Sequence, residues 1–433
     1  MSALTGTLEA LSKIVGESNL LTATAAVSAY AVDGQTPLAV ALPGTAEEVA
    51  ALLCAAAEAR FSVMLRGAGH HSYLGAPPEA IGLMVSLSRL DQIVEYDAED
   101  LTVTAQAGLT LQALQEVVGR HRQMLPLDPP GPSSATLGGV VAAGISGAMR
   151  MRYGAPRDLV IGMRVALSTG EIIKTGGRTV KNVAGYDIGK LFVGSLGSLG
   201  AITEVTARLI PQPESQAIVI ASLPPQEAAE VAAWLVGSRL EVVSCELVSY
   251  GAAKKLGPRL PVAIPPGRNA LIIGLAGEAE TIGRQEREIR ERVADGRRFD
   301  GEDGEQMQRW VRELLYPAPN GLLLRMVMPI AAVAGGVDLI SSYDGWGGVA
   351  RVGDGVVYAA APVSHNLSDT LAQLRALRSY AVGVGGSAVL EAGPLGLKQA
   401  FPVWGEVANL DLMRQLKQAY DPAAVMGCGR LTA

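Results

Sequence analysis

The chain has 433 residues, of which 49% are hydrophobic and 18% charged, a composition typical of a folded protein with two or three domains. The formal net charge is −6 and there is no run of like charge, so nothing favours a nucleic acid or an acidic membrane surface as a partner. Three widely separated cysteines provide neither a disulfide framework nor an iron–sulfur site. The most apolar stretch, residues 321–340, is interrupted by Arg325, Pro329 and Asp338, and the N-terminus does not resemble a signal peptide. We therefore expect a cytoplasmic protein without a transmembrane segment.

The first part of the chain alternates strand and helix patterns. Thr45 and Glu48 have capping-box spacing at the start of an amphipathic helix, and Thr110 is placed to begin a second, shorter helix. Strands are predicted at 37–43, 62–65, 82–87 and 101–108. Glycine-rich turns follow from 131 onward, then a hairpin and a strand at 201–213 that ends in two prolines. These prolines mark a predicted domain boundary.

The second part again mixes the two patterns, which predicts an α+β domain with an antiparallel sheet and helices on one face. Strands are predicted at 217–222, 241–249, 269–275, 322–328 and 355–360, and helices at 226–236, 278–294, 305–315 and 367–380. We therefore divide the chain into an N-terminal extension (1–36), a first domain (37–213), a second domain (214–400) and a C-terminal segment (401–433).

The stretch LRGAGHHSYLG, residues 65–75, places a glycine-rich turn and two histidines at the end of a predicted strand. Adjacent side chains in an extended segment point to opposite faces, and the chain has four histidines in no metal-binding spacing, so we predict no metal site. The chain also lacks the G-x-S-x-G nucleophile motif and a G-x-G-x-x-G turn that opens a helix. What remains is a structural turn or a loop that binds phosphate.

Two separate stretches favour the phosphate interpretation. Residues 67–71 offer successive backbone N–H groups in a glycine turn, which can form an anion-binding concavity. In GPSSATLGGVVAAG, Ser134 or Thr136 could cap a helix entered through Gly138 and Gly139, and a helix N-terminus also attracts anions. A pyrophosphate held between two such loops needs no lysine.

Three motifs in this order resemble the FAD-binding domain of the vanillyl-alcohol-oxidase (PCMH) type flavoproteins. They are LPGTAEEVAALLCAAAEARFSVMLRGAGHH, LPLDPPGPSSATLGGVVAAGISG and TVKNVAGYDIGKLFVGSLGSLGAITEV. The region from QMLPLDPP to GAITEV looks more narrowly like the FAD-binding subunit of bacterial glycolate oxidase. The resemblance covers residues 37–213 well, is faint in the second domain, and returns at AYDPAAVMGCGRL. It implies a two-subdomain FAD-binding domain, a cap made by 214–400, and a C-terminal segment that returns to the FAD domain.

The resemblance also implies which residues hold FAD. The expected cofactor contacts are Arg66, Gly67, Ala68, Gly69, His70, His71, Ser72, Pro129, Pro130, Ser134, Thr136, Gly138, Gly139, Ala142, Ala143, Gly200 and Ile202. His70 matches the spacing of a histidine that related oxidases bond covalently to the flavin, whereas the glycolate-oxidase subunits bind FAD noncovalently. Both forms of attachment therefore stay open. The family's closing motif DPxxxxNPGR is changed in this chain, where Gly427 replaces its Asn and Cys428 its Pro. A side-chain hydrogen bond to the flavin is therefore either missing or replaced by one from the backbone.

The cap lacks the histidine-rich metal site that the resemblance implies for the catalytic partner subunit. RVGDGVVYAAAP has no histidine, and VLEAGP offers only Glu391. Arg325 is the candidate contact for a substrate carboxylate, with an internal ion pair as the alternative. Lys181 and Asn182 are weaker candidates for flavin or substrate contact.

Two functions of different class follow from the resemblance, and a third from His70 alone. The first is an FAD-dependent dehydrogenase subunit for glycolate or another small 2-hydroxy acid, in a complex with a second flavin subunit and an iron–sulfur subunit. The second is an assembly or electron-relay subunit without its own substrate oxidation. The third is a stand-alone covalent-flavin oxidase. Partners could hold such a complex at the inner membrane.

Overall fold

The computed structural model of the chain describes four stretches of sequence. They are residues 3–177, 187–318, 320–362 and 366–431. Lys181 and Asn182, the weaker candidates for flavin or substrate contact, lie outside the described residues. No helix within the described residues has both the length and the apolar character needed to cross a bilayer.

The first domain contains eleven strands and seven helices among the described residues. The strands are β1 Leu20–Leu21, β2 Ala39–Ala41, β3 Val63–Arg66, β4 Leu83–Ser86, β5 Ile93–Asp97, β6 Thr102–Gln106, β7 Gln123–Met124, β8 Val160–Ala166, β9 Ile172–Gly176, β10 Ala201–Arg208 and β11 Ile210–Pro211. The helices are α1 Ala3–Val15, α2 Thr24–Ser28, α3 Ala46–Glu58, α4 Leu111–Gly119, α5 Leu137–Ala143, α6 Arg150–Tyr153 and α7 Pro156–Leu159. Three of these helices begin at a threonine that accepts a backbone N–H, namely Thr45, Thr110 and Thr136.

These strands form two main sheets that share one core. The first has the order β1-β2-β4-β3, with β2, β4 and β3 parallel, and the second is the antiparallel sheet β5-β6-β10-β8-β9. Strand β3 ends at Arg66, where the glycine turn begins. Helix α1 packs on α3, so Leu11 and Val15 of the expected N-terminal extension are buried in the core of this domain.

The second domain, residues 215–400, is built on one antiparallel sheet of eight strands in the order β15-β12-β14-β13-β17-β18-β16-β19. The strands are β12 Ser215–Leu223, β13 Val242–Val248, β14 Asn269–Gly277, β15 Arg297–Asp300, β16 Gly321–Val327, β17 Gly347–Arg351, β18 Val356–Pro362 and β19 Ser387–Ala392. The helices are α8 Pro225–Gly237, α9 Tyr250–Leu256, α10 Ala279–Arg290, α11 Gly301–Leu314, α12 Val333–Ser341, α13 Leu367–Gly383 and α14 Leu395–Ala400. The α+β class and the antiparallel sheet are confirmed.

The cap sheet buries apolar residues on both faces. Helices α8, α10, α12 and α13 pack on one face with the larger core. Helices α9 and α11 also cover part of the opposite face, around Met307 and Val311, so the helices are not restricted to one side as the sequence had indicated. Tyr73 of the first domain packs against this second face. The face with α9 and α11 is therefore the one that meets the first domain.

The C-terminal segment returns to the first domain. Helix α15, Leu410–Tyr420, is followed by an extended stretch in which Val425 O accepts from Val63 N at 2.7 Å and Gly427 N donates to Val63 O at 2.9 Å. Val425 and Met426 are buried in the core of the first domain. This segment therefore runs beside β3 and ends next to the glycine turn.

Candidate cofactor site and active site

The glycine turn after β3 presents a row of free backbone donors. Among the described residues, no hydrogen bond is made by the backbone N–H of residues 67–71. The space is available because residue 67 has no side chain: a Cβ on Gly67 would lie 2.0 Å from Thr136 Oγ1. Gly69 has φ +84, a conformation that favours glycine. Five consecutive unpaired N–H groups are the donor set that an oxyanion such as pyrophosphate requires.

The second predicted loop also lies beside this turn, but for a different reason from the one expected. Thr136 caps α5 by accepting from Gly139 N at 3.3 Å, whereas Leu137 N and Gly138 N donate to Leu109 O and Ala107 O at 2.9 and 2.8 Å. The first N–H groups of α5 are thus already paired and offer no anion site. Gly138 is required for packing, because a Cβ there would lie 2.4 Å from the Ala107 side chain.

The two loops and strand β10 form a cleft between the two sheets of the first domain. The expected residues that line it are Arg66, Gly67, Ala68, Gly69, His70, His71, Ser72, Thr136, Gly138, Gly139, Ala142, Ala143, Gly200 and Ile202. Apolar side chains that include Met64, Leu87 and Ala107 form its floor. A cleft that combines the free N–H groups of the glycine turn with an apolar lining suits a dinucleotide.

Three expected contacts stand behind the cleft wall instead. Ser134 Oγ lies 2.8 Å from His70 Nε2, and His71 Nε2 donates to Pro130 O at 3.1 Å. Pro129, Pro130 and Ser134 are not among the residues that line the cleft. The contacts of Pro130 and Ser134 join the two loops to each other.

The charges at the polar end of the cleft come from arginines. Burial lowers the pKa of Arg66, whose guanidinium lies 5.0 Å from the centre of the Tyr30 ring. Burial also lowers the pKa of His70 and of His71, and nearby Arg66 lowers that of His70 further, so both imidazoles are neutral at neutral pH. A bound phosphate would therefore meet backbone N–H groups and the Arg66 cation rather than imidazolium.

Arg430 is a site residue that the sequence analysis missed. It is 3% exposed and lines the cleft, its Nη2 donates to Ser72 O at 2.8 Å, and its Nη1 is buried without a hydrogen-bond partner. Burial lowers the pKa of its guanidinium to about 10, which leaves it charged at neutral pH. Gly427 and Cys428 do not line the cleft. The available signal was the motif's closing pair, Gly429 and Arg430, which is retained after those two departures.

The cap presents a row of polar side chains on the face that meets the first domain. Arg325 on β16 lies 2.5 Å from Glu391 and faces Tyr358 of β18 in register. The Arg351 guanidinium lies 5.3 Å from the Tyr358 ring, and its Nη1 donates to Ser146 O and Gly147 O of the first domain. Arg325 therefore forms the internal ion pair that was the alternative to a substrate contact, with Glu391 as its partner. Among the described residues, no cluster of His, Cys, Asp and Glu could hold a metal.

Two buried carboxyls, which the sequence analysis did not single out, meet at this domain boundary. Asp128 of the first domain accepts from Met149 N at 3.2 Å, and burial raises its pKa to about 6. Glu246 of β13 pairs in register with Arg351, and its Oε1 has no partner. Burial, and next the charge of Asp128, raise the pKa of Glu246 to about 8. The local sequence around Asp128 and Glu246 does not mark either as a site residue, because their burial depends on the contact between the domains.

Comparison with known proteins agrees with this geometry. Residues 37–176 match the FAD binding domain family. The chain is 26% identical to glycolate oxidase subunit GlcD of Bacillus subtilis over 98% of this chain and 96% of that protein. It is 37% identical to glycolate oxidase subunit GlcE of Escherichia coli over 40% of this chain and 49% of that protein. A solved structure of p-cresol methylhydroxylase with substrate bound superposes with a TM-score of 0.74, at 14% identity, over 97% of this chain and 95% of that one.

The fold and the cleft define a flavoprotein of the PCMH type. Residues 37–176 form an FAD-binding domain, the cofactor is FAD, and the chain is an FAD-dependent oxidoreductase. The predicted resemblance is confirmed in these respects.

Proposed function

We propose that this chain is the FAD-binding subunit of a complex that oxidises glycolate or another small 2-hydroxy acid. The observation that carries the proposal is the row of five free N–H groups at residues 67–71, which fits a pyrophosphate, in a chain similar to one glycolate oxidase subunit, GlcD, over nearly its whole length. FAD bound in the cleft would accept the hydride of such a substrate. Arg66, Arg430 and the residues of the two loops would hold it.

Oxidation of a 2-hydroxy acid to a 2-oxo acid removes a hydride from carbon and a proton from oxygen. The carboxylate of the substrate needs a cation, and Arg325 is our candidate because it lies on the cap face that meets the cofactor domain. Arg325 donates to Glu391 from Nε, which leaves the two terminal nitrogens of its guanidinium available to a substrate carboxylate.

Electrons must then leave the flavin through other chains. The three cysteines are single and separated in the sequence, so an iron–sulfur relay would belong to a partner subunit. Two different subunits of glycolate oxidase, GlcD and GlcE, are both similar to this chain, which favours a second flavin subunit as a further partner. We propose that the complex works in the cytoplasm, held at the inner membrane through its partners if at all.

One observation favours the assembly or electron-relay function instead. Arg325 and Arg351 are both engaged with carboxylates, at 2.5 Å from Glu391 and 3.3 Å from Asp354. A cap whose cations are already paired binds a substrate carboxylate less readily than one with a free arginine. In that case a sister subunit would carry out the oxidation.

Anaerobic flavin reduction separates these functions. The purified chain with FAD is mixed with glycolate or D-lactate, and bleaching of the visible flavin band is followed. Bleaching by the chain alone, with a substrate affinity that drops about tenfold or more in R325M, supports the dehydrogenase. If the isolated chain, fully loaded with FAD, shows no bleaching, the result supports the relay function. R259M, which removes an arginine from the cap surface, is the matched control.

A further inference from the structure

One cap side chain, Tyr316, touches both cofactor loops at once. It lies between α11 and β16, and its hydroxyl donates to His70 O at 3.0 Å. Its ring packs on Gly131, where an added Cβ would lie 2.7 Å from the ring. Tyr316 is not among the residues that line the cleft. It therefore contacts the two loops without lining the cleft.

The bond to His70 O fixes the direction of one phosphate donor. In a trans peptide the C=O of one residue and the N–H of the next point in opposite directions. With the His70 carbonyl held toward Tyr316, the N–H of His71 points away from the cap residue. That N–H has no hydrogen-bond partner among the described residues, and His71 lines the cleft.

The remaining contacts of this peptide keep it from rotating. His71 Nε2 donates to Pro130 O at 3.1 Å, which anchors the side chain just after the peptide. The Tyr73 ring meets the Tyr316 ring edge to face, with centroids 5.8 Å apart. The Tyr316 hydroxyl is therefore held at its acceptor by packing on two sides, and a preorganised donor binds a phosphate more tightly than a mobile one.

We propose that Tyr316 is a positioning residue of the cap that orients the His71 N–H toward the FAD pyrophosphate. The inference rests on FAD occupying the cleft as proposed above. The segment that carries Tyr316 continues into β16 and Arg325, nine residues further on. The part of the cap that carries the candidate substrate contact therefore also holds the conformation of the glycine turn. The affinity for the cofactor then depends on the position of the cap.

Ligand binding to the FAD-free protein tests this role. The dissociation constants of FAD, of ADP as a probe with the pyrophosphate but without the flavin, and of riboflavin as a probe without phosphate are measured for the wild type and Y316F. We expect Y316F to raise the dissociation constants of FAD and ADP by about three- to tenfold, the range for loss of one hydrogen bond, and to leave that of riboflavin unchanged. Y380F is the matched control, because the Tyr380 hydroxyl donates to Ala332 O at 2.8 Å within the cap.

The possible results separate the two proposals. Unchanged FAD and ADP binding by Y316F would overturn the role of Tyr316 while leaving the FAD cleft intact. Failure of the wild type to bind ADP or FAD would instead contradict the cleft itself. If Y316F did not fold, hydrogen exchange of the His71 amide in the wild type decides: slowing on addition of ADP supports the proposal, and no slowing overturns it.

Discussion

Arg430 donates from Nη2 to the carbonyl oxygen of Ser72 at 2.8 Å and so joins the C-terminal segment to the glycine turn after β3. Trp404 Nε1 donates to Arg430 O at 2.9 Å, and Ala76 N donates to the same oxygen at 3.1 Å. The residue is thus held at its backbone while its second terminal nitrogen is left free in the wall of the FAD cleft. A buried cation without a full set of acceptors is a binding element for an anion or a carbonyl group.

Removing this cation should weaken FAD binding. We expect R430M to raise the dissociation constant of FAD by about ten- to a hundredfold, because a hydrogen bond to a charged group contributes about 1.5–3 kcal/mol. Recovery of flavin fluorescence on dilution measures the change. R259M, on the cap surface, should bind FAD as the wild type does. Equal FAD affinity in R430M and the wild type would show that Nη1 does not face the cofactor.

A methyl group at Gly67 should disturb both cofactor loops. Its Cβ would lie 2.0 Å from Thr136 Oγ1, the atom that caps α5, so either the turn or the cap must move. We expect G67A to lower the free energy of unfolding by about 1–3 kcal/mol, as at other overpacked sites, and to weaken the binding of FAD. Denaturant unfolding with and without FAD measures both effects. G396A has no atom within 4 Å of its new Cβ and lies in helix α14, so it should neither lower the free energy of unfolding nor weaken FAD binding.

The buried carboxyl of Glu246 should make the domain boundary sensitive to pH. Its pKa is raised from 4.5 to about 8, so the folded protein keeps a proton that the unfolded chain has released. The free energy of unfolding therefore falls as pH rises from 4.5 toward about 8 and is level above that. Asp128, with its pKa raised to about 6, contributes in the same direction over a lower range.

Glutamine at position 246 mimics the neutral acid and should remove this dependence. We expect E246Q to unfold at a higher temperature than the wild type near pH 9, by about 1 kcal/mol or more in stability, and at a similar temperature near pH 5. Thermal unfolding across this range is the measurement. E278Q, on the exposed side of the cap, provides the control. Parallel pH profiles for E246Q and the wild type would mean that Glu246 is ionised in the folded protein.

Acid precipitation of the FAD-loaded protein should release the flavin into the supernatant. His70 Nε2 is engaged with Ser134 Oγ and His71 Nε2 with Pro130 O, so each imidazole already has a partner for that nitrogen. We therefore expect noncovalent FAD. Colour retained in the pellet, and lost in H70A but not in H71A, would instead place a covalent bond at His70 and favour the stand-alone oxidase.

Local sequence predicted the elements that carry the cofactor loops. The strand before the glycine turn was predicted at 62–65 and observed at Val63–Arg66, and the capping threonines Thr45 and Thr110 begin their helices as expected. Strand β17 was missed. Its sequence, GGVAR, has little strand character, yet Gly347 is required there because a Cβ would lie 2.9 Å from the backbone of Ala252 in α9. Close packing, not propensity, places that strand.

The sequence by itself predicted the glycine turn at residues 67–71 and the threonine caps, because turns, caps and short strands are set by neighbouring residues, and these recur in a recognisable order. Only the tertiary structure decided what surrounds the cleft. Arg430 reaches Ser72, Tyr316 reaches His70, and Arg351 reaches Ser146 from segments distant in the chain. It also decided that the first N–H groups of α5 are already paired, and that Asp128 and Glu246 are buried together. Burial and hydrogen-bond partners depend on which segments meet, and side-chain chemistry at the site follows from that contact.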